Sequence, residues 1–354
     1  MPNVVAIVCF LLLAPGLLAE RVVLVAGGGQ STNTSTSLRA IDAKLSSPFG
    51  IEFDRDGNLY LVEMTGYRVR KLDKSGMLSV VAGTGEKGMA DGPGSRAQFN
   101  GIHNLAVNGD GDLLLADTWN NCVRLLRTTA NTVERIVGTG EKGFAGDNGP
   151  AASAKFGGIY CVSIGGDQQI YLADLDNLRI RAVNPKTGLV RTVAGNGKKG
   201  VPMDGAKATE APLVDPRAVI ADEKGRVYVL ERSGNALRVV DTDGNIKTVV
   251  GTGQKGNTGD GGDARQATLN GPKHLCFDLN GDVVIADTEN HVIRRYSPKD
   301  GKIARIAGSG AKGSRGIGEP ALEVQLNQPH GVYVHKDGSL YISDSSNHRV
   351  LKIG

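Results

Sequence analysis

The sequence predicts an all-β fold, a six-bladed β-propeller closed by pairing the N-terminal strand with the C-terminal blade. Three observations predict it: a Gly-rich signature at a fixed period, four short strands in each period, and two incomplete ends that complement each other. Val25-Ala26-Gly27 returns as Val81-Ala82-Gly83, Ile136-Val137-Gly138, Val193-Ala194-Gly195, Val249-Val250-Gly251 and Ile306-Ala307-Gly308. These glycines are spaced by 56, 55, 57, 56 and 57 residues, and a period of this size marks a repeat architecture. The sixth unit stops at Gly354 before its own Gly-rich strand, while a spare copy stands at Arg21 to Gly29.

The second unit shows the four strands well: Asn104 to Val107, Asp112 to Ala116, Cys122 to Leu126, and Thr132 to Thr139. A turn, Asn108-Gly109-Asp110-Gly111, joins the first two, with counterparts at Asp54-Arg55-Asp56-Gly57, Asp278-Leu279-Asn280-Gly281 and His335-Lys336-Asp337-Gly338. Asn-Gly and Asp-Gly supply the positive φ of a tight hairpin. The third unit carries Gln168 where the others have the turn glycine. Second strands such as Leu59-Tyr60-Leu61-Val62 and Val283-Val284-Ile285-Ala286 are short apolar runs, as expected of strands buried on both faces. An unpaired edge strand would expose backbone donors and acceptors, so Val22 to Val25 is expected to pair beside Arg349 to Lys352.

Gly is abundant (50 of 354 residues), which fits many tight turns. A net charge of +4 gives no reason to expect nucleic-acid binding. Val4 to Leu18 is apolar and ends at Ala19, the pattern of a secretory leader, although no Lys or Arg precedes it. The expectation is a leader over 1–19 and a single propeller domain over 20–354, exported to a periplasmic or extracellular space, with no membrane span in the mature chain. Cys9 would leave with the leader, and the odd set Cys122, Cys161 and Cys276 reads as buried thiols without a disulfide framework.

A carboxylate follows every second strand: Glu63, Asp117, Asp174, Glu231, Asp287 and Asp344. Seven residues later stand Arg70, Arg124, Arg181, Arg238 and Arg294, with Leu351 breaking the rule. Groups present in every unit solve a problem every unit shares, so these acids are expected to be structural. Asn290-His291-Val292 and Asn347-His348-Arg349 follow two of them. On these residues, and on the connection Gly256 to Ala264, the chain resembles the NHL-repeat family, in the manner of its exported bacterial-type members. The resemblance covers nearly all of Arg21 to Gly354 and implies a six-bladed propeller without implying one activity.

Departures from the repeat point to a site. Aligning the units places Phe49, His103, Tyr160, Arg217, Lys273 and His330 at the start of the six inner strands, followed by Gly50, Asn104, Cys161, Ala218, His274 and Gly331. The first six are expected to converge on the mouth of the central channel. Two histidines, a phenol and two cations suit anion binding or proton transfer; alternatively they neutralise the acids nearby. His274, one residue further along its strand, is expected to point to the opposite face. Phe49, His103, Asn104, Tyr160, Arg217, Lys273, His274 and His330 are therefore the candidate ligand-binding residues, with Tyr160, His103 and His330 as catalytic candidates.

His103 and His330 also resemble positions where peptide-amidating lyases place zinc-binding histidines. In this register the third position is Arg217, which cannot ligate a metal. Gluconolactonase-like propellers bind a metal through a Glu where Phe49 stands here. Zinc or calcium held by His103 and His330 with a carboxylate is the metal reading these resemblances leave. Lys87, Lys142, Lys199, Lys255 and Lys312 form a basic series of turn residues, and Trp119 is a stacking candidate near Asp117. Gly146-Asp147-Asn148-Gly149 lacks the oxygen spacing of a calcium loop. Three functions follow: an exported module binding a small polar or anionic ligand or a peptide or glycan end at the mouth, a metal-assisted lyase or lactone hydrolase using the same mouth, or a scaffold for a protein partner.

Overall fold

The computed structural model describes residues 20–32 and 37–354, so the expected leader over 1–19, with Cys9, lies outside the described residues. Six antiparallel sheets stand around an axis. Their inner strands are Pro48–Phe53, Ile102–Val107, Ile159–Ile164, Pro216–Ala221, His274–Phe277 and Gly331–Val334. Each packs against the inner strands of both neighbours, and Gly331–Val334 packs against Pro48–Phe53 to complete the circle. Every second strand, from Leu59–Glu63 in the first blade to Leu340–Asp344 in the sixth, is buried along its whole length. This is why those strands read as unbroken apolar runs.

The ring closes as the sequence predicts. Val22–Gly27 is the outer strand of the sixth blade, with Val22 opposite Ile353, Leu24 opposite Leu351 and Gly27 opposite Arg349. At the seam to the first blade, Ser345 Oγ donates to the Pro48 carbonyl at 2.5 Å, and the Ser47 N–H donates to His348 Nδ1 at 3.1 Å. Thr118 and Thr288 make the first of these contacts elsewhere in the ring, to the Ile159 and Pro329 carbonyls. The seam therefore carries the same lateral hydrogen bond as ordinary joints between blades. Three blades add an outermost two-residue strand, Leu38–Arg39, Gly92–Pro93 or Ala206–Lys207, beyond the four expected. Such additions cover an edge that would otherwise offer unpaired backbone groups. Gln168 takes the left-handed conformation (φ 64°) of the glycine it replaces, so the third hairpin keeps its register.

The six repeated acids are structural. Each accepts the backbone N–H found 17 residues earlier: Ser46 on Glu63, Asn100 on Asp117, Gly157 on Asp174, Val214 on Glu231, Asn270 on Asp287 and Asn327 on Asp344. The buried arginines Arg70, Arg124, Arg181, Arg238 and Arg294 pair with them at 2.7 to 3.7 Å. The expected gap at Leu351 is filled from another position: Arg349 reaches Asp344 at 2.7 Å and donates to the Ser314 and Gln325 carbonyls. Burial raises Asp174 and Asp287 to about 6, against the pull of Asn177 and Asn290 and of backbone N–H donors.

The Asn of the repeat core has a definable task. Asn120, Asn177, Asn290 and Asn347 each bridge the blade's Asp to a carbonyl of the preceding connection, at Gly88, Gly143, Gly256 and Gly313 respectively. Where the acid is Glu, the position three residues on is Gly66 or Gly234. A Cβ on Gly66 would stand 2.8 Å from Glu63 Cβ, and one on Gly234 would stand 2.5 Å from Glu231 Oε2. The longer acid thus fills the space that Asn occupies beside Asp.

Candidate functional site

A β-bulge builds the mouth. Ile102 pairs with Asp117 and Asn104 with Ala116, which leaves His103 as the extra residue. Tyr160 and Arg217 are extra in the same way. In the fifth blade Lys273 donates its N–H to the Ala286 carbonyl while His274 pairs with the same residue. A bulge re-aims side chains, so consecutive residues at this level of a strand both address the channel. The expectation that His274 points away from it fails for this reason: Asn104 Nδ2 and His274 Nε2, from blades two and five, meet at 2.8 Å. Gly50 and Gly331 make room at the same level, since a Cβ would stand 2.7 Å from Asn104 Cα or 2.1 Å from the Phe49 carbonyl oxygen.

The six mouth residues do converge. Phe49 stacks on His330 with centroids 4.0 Å apart and meets the edge of His103 at 5.1 Å. His103 contacts Tyr160 at 4.7 Å, and the Arg217 guanidinium lies 4.5 Å from the Tyr160 ring centroid. Trp119, 46 % exposed, lies roughly perpendicular to His103 with ring centroids 5.5 Å apart. It covers Gly101, where a Cβ would sit 2.4 Å from the indole. Lys273 Nζ pairs with Glu289 at 2.7 Å. The mouth is therefore filled at its centre by Phe49 and ringed by polar groups, instead of being open. Beside it a basin of about 450 Å³ is lined by Arg232, Ser233, Lys255, Asn270, Lys273 and Glu289.

Both mouth histidines are oriented alike. His103 Nδ1 lies 2.7 Å from the Gly101 carbonyl and His330 Nδ1 2.7 Å from that of Gln328. Each Nδ1 carries the proton, leaving Nε2 with its lone pair. Burial, with Arg217 and Lys273 nearby, holds both well below the ordinary histidine range. Burial and then Arg232 lower Arg217 to about 10.

Arg217 differs from every repeat arginine in having no carboxylate partner. It is only 4 % exposed, its Nη1 donates to the Tyr160 carbonyl at 3.2 Å, and its Nε is buried without a partner. Among the described residues no carboxylate forms an ion pair with it, because the neighbouring Asp215 is taken by Arg232 at 2.7 Å and by Ser233. A buried cation without a counter-charge is costly. Arg217 therefore brings an unbalanced positive charge to the mouth.

The metal expected from His103 and His330 finds no third donor. Among the described residues no three His, Cys, Asp or Glu side chains gather as a metal site. At the second level of the ring, the expected ligand-binding residues Asn104 and His274 bond to each other and form a seal across the channel. Asn104 Oδ1 accepts the Val162 N–H at 3.0 Å, and the Val332 N–H faces His274 Nδ1 at 3.3 Å. Burial and Arg217 lower His274 to about 4, so it is neutral.

Beneath that seal the channel opens to the opposite face as a well of about 1120 Å³ whose lining includes none of the six mouth residues. Glu52, which sequence reasoning missed, stands on its wall. The signal was its position: two residues past Gly50, it again faces the axis, and it is the single carboxylate in the six inner strands. Burial pushes it up to about 8, opposed by the Val107 backbone N–H. Cys161 and Cys276 line the same well and are free thiols, as is Cys122. Asp147, in the Gly146–Gly149 connection, pairs with Arg181 at 2.7 Å. Lys142 pairs with Asp176 at 2.7 Å.

The Teneurin NHL domain matches residues 186–258 and the NHL repeat matches residues 326–353. NHL repeat-containing protein 2 of Bos taurus is 27% identical over 335 residues, covering 86% of this chain and 46% of its own length. This chain thus spans about half the length of that relative. An auxiliary nutrient binding protein of Bacteroides thetaiotaomicron shares the fold at a TM-score of 0.69 and 15% identity, over 95% of this chain and 76% of that one. A gluconolactonase of Xanthomonas campestris does so at 0.59 and 10%, over 94% and 89%. Six blades, the Asp-x-x-Asn cage and these matches together show a six-bladed β-propeller with an NHL repeat at 326–353, similar to NHL repeat-containing proteins.

Proposed function

We propose that this propeller is an exported binding module that seats the anionic end of a small ligand, or of a peptide or acidic glycan, at its mouth. The observation that carries the reading is Arg217, a buried guanidinium without a carboxylate in a ring that also presents Lys273. A carboxylate or phosphate would accept from the free edge of Arg217, and such charge-assisted bonds are strong where water is excluded. Trp119 and Tyr160 offer faces on which the rest of the ligand would lie. The Bacteroides protein of the same fold is described as nutrient-binding, which agrees with a binding role.

Calorimetric titration with succinate, citrate and inorganic phosphate tests this. Arg217→Met is expected to weaken the best of them by roughly 10- to 100-fold, the worth of a hydrogen bond to a charged group. The variant should melt no lower than wild type, because a buried unpaired charge has been removed. Equal affinity in the variant, or no anion bound by wild type, refutes the reading. Export is checked separately: N-terminal sequencing of protein recovered from the medium or periplasm should begin at Glu20.

A further inference from the structure

The sealed channel leaves a second concavity whose chemistry is the reverse of the mouth. Its floor is the neutral Asn104–His274 pair. Its wall at the level of Glu52 is uncharged elsewhere, with Ala106, Ser163, Ile220, Cys276 and Tyr333 at the corresponding places of the other inner strands. Among the described residues no cation pairs with Glu52, whereas the buried acids of the blade cages each have their arginine. Aromatic faces stand beside it: Tyr333 on the next blade, and Phe53, whose ring lies 5.5 Å from that of Tyr333. One carboxylate among aromatic faces is the chemistry that recognises an ammonium group.

We propose that the well on the hairpin-turn face is a second binding site, which takes a small organic cation, with Glu52 as the counter-ion of its ammonium. The site is independent of the mouth, since the Asn104–His274 seal separates them. One carboxylate is too few donors for a resident divalent metal, and the uncharged wall favours a ligand with an apolar body. The volume, about 1120 Å³, admits a drug-sized molecule.

Binding is coupled to a proton. The empty well holds Glu52 as a neutral acid near pH 7. An arriving R–NH3+ displaces that proton to solvent and forms the pair R–NH3+ with the Glu52 carboxylate. The titratable groups facing Glu52 are Cys161, Cys276 and Tyr333, which burial raises to about 11, 12 and 12; they stay neutral throughout. Blade two contributes no ionisable group to the wall at this level, and His274 is neutral. At the rim, Arg226 is paired with Asp222 and Arg295 faces Asp278 and Asp282. Glu223, Arg55, Lys224 and Lys299 complete the rim charges.

Calorimetry with phenethylammonium at pH 7, in two buffers of different protonation enthalpy, reads both affinity and proton release. The expected release is about 0.9 proton per ligand, and affinity should strengthen roughly tenfold from pH 6 to pH 7 before levelling above pH 8. Glu52→Gln should weaken binding at least roughly tenfold at pH 8 and abolish the release, an effect of the size expected for a charge-assisted contact. Carbon-13 NMR of carboxyl-labelled glutamate in wild type supplies a measurement that needs no variant: the raised Glu52 midpoint should fall by about three units or more with saturating amine. Absence of binding, binding without proton release, unchanged affinity in Glu52→Gln, or an unmoved midpoint overturns the proposal. Binding of succinate at the mouth is scored separately and has no bearing on it.

Discussion

Asn104 and His274 reach across the ring from opposite blades and join side chains at 2.8 Å. This contact divides the central channel into an aromatic, cationic mouth and an acid-bearing well. Asn104 also accepts the Val162 N–H, so its side chain ties three blades together. Asn104→Ala should cost about 2–4 kcal/mol, because the buried Val162 N–H loses its acceptor and the buried His274 imidazole loses its partner. Urea unfolding checks this; a loss below about 0.5 kcal/mol would show that the pair contributes little.

Arg349 performs in the sixth blade what a residue two positions further along performs in the fifth. Arg349→Val leaves Asp344 buried without its cation, and the expected loss is about 3–5 kcal/mol. Adding Leu351→Arg would copy the fifth blade's Val292 and Arg294 and should recover most of it. Denaturant midpoints of the single and double variants decide the matter.

The pairing of Asp with Asn and of Glu with Gly predicts a second compensation. Asp117→Glu alone would crowd Asn120 and should destabilise by about 1–3 kcal/mol, the usual range for an overpacked site. Asp117→Glu with Asn120→Gly reproduces the first blade and should regain at least half. Independent, additive effects of the two changes would contradict a shared volume.

Glu52 makes stability depend on pH with a definite sign. Its folded value near 8 lies above the reference value of 4.5, so the folded chain holds a proton that the unfolded chain releases. Stability therefore declines as pH rises from about 4.5 to about 8 and is flat in this respect beyond. Glu52→Gln removes the decline: its melting temperature relative to wild type should be unchanged below pH 4.5 and higher by roughly 2 °C or more at pH 8.5. Parallel melting curves at all pH values would refute this.

Removing Arg21 to Gly29 takes away the outer strand of the sixth blade and exposes the edge at Arg349–Ile353. The truncated chain should melt at least 10 °C lower, a loss of several kcal/mol, or fail to fold. Differential scanning fluorimetry of the two forms is sufficient.

Much of this was legible because a repeat states its own rules. The Gly-rich spacing fixed the blades, and the spare strand at Val22 fixed the closure. The six strand-start residues converge because equivalent positions must. What escaped were local displacements that alternation cannot express. The bulge turns His274 toward the axis although strict alternation assigns it outward. Arg349 takes a cage place assigned by spacing to Leu351. Glu52 was overlooked because its isolation exists only once six strands stand side by side, when the absence of any neighbouring cation becomes visible.

The pairing of Val22–Gly27 with Arg349–Ile353 also sets an order in time. The strand that leaves the ribosome first among those described waits for the last, and until then the neighbouring sheets form an incomplete arc with its flank bare. Contacts between residues so distant in the chain form slowly. A newborn copy thus spends its most aggregation-prone interval with five blades made and the sixth unfinished, which is when a chaperone would have most to protect.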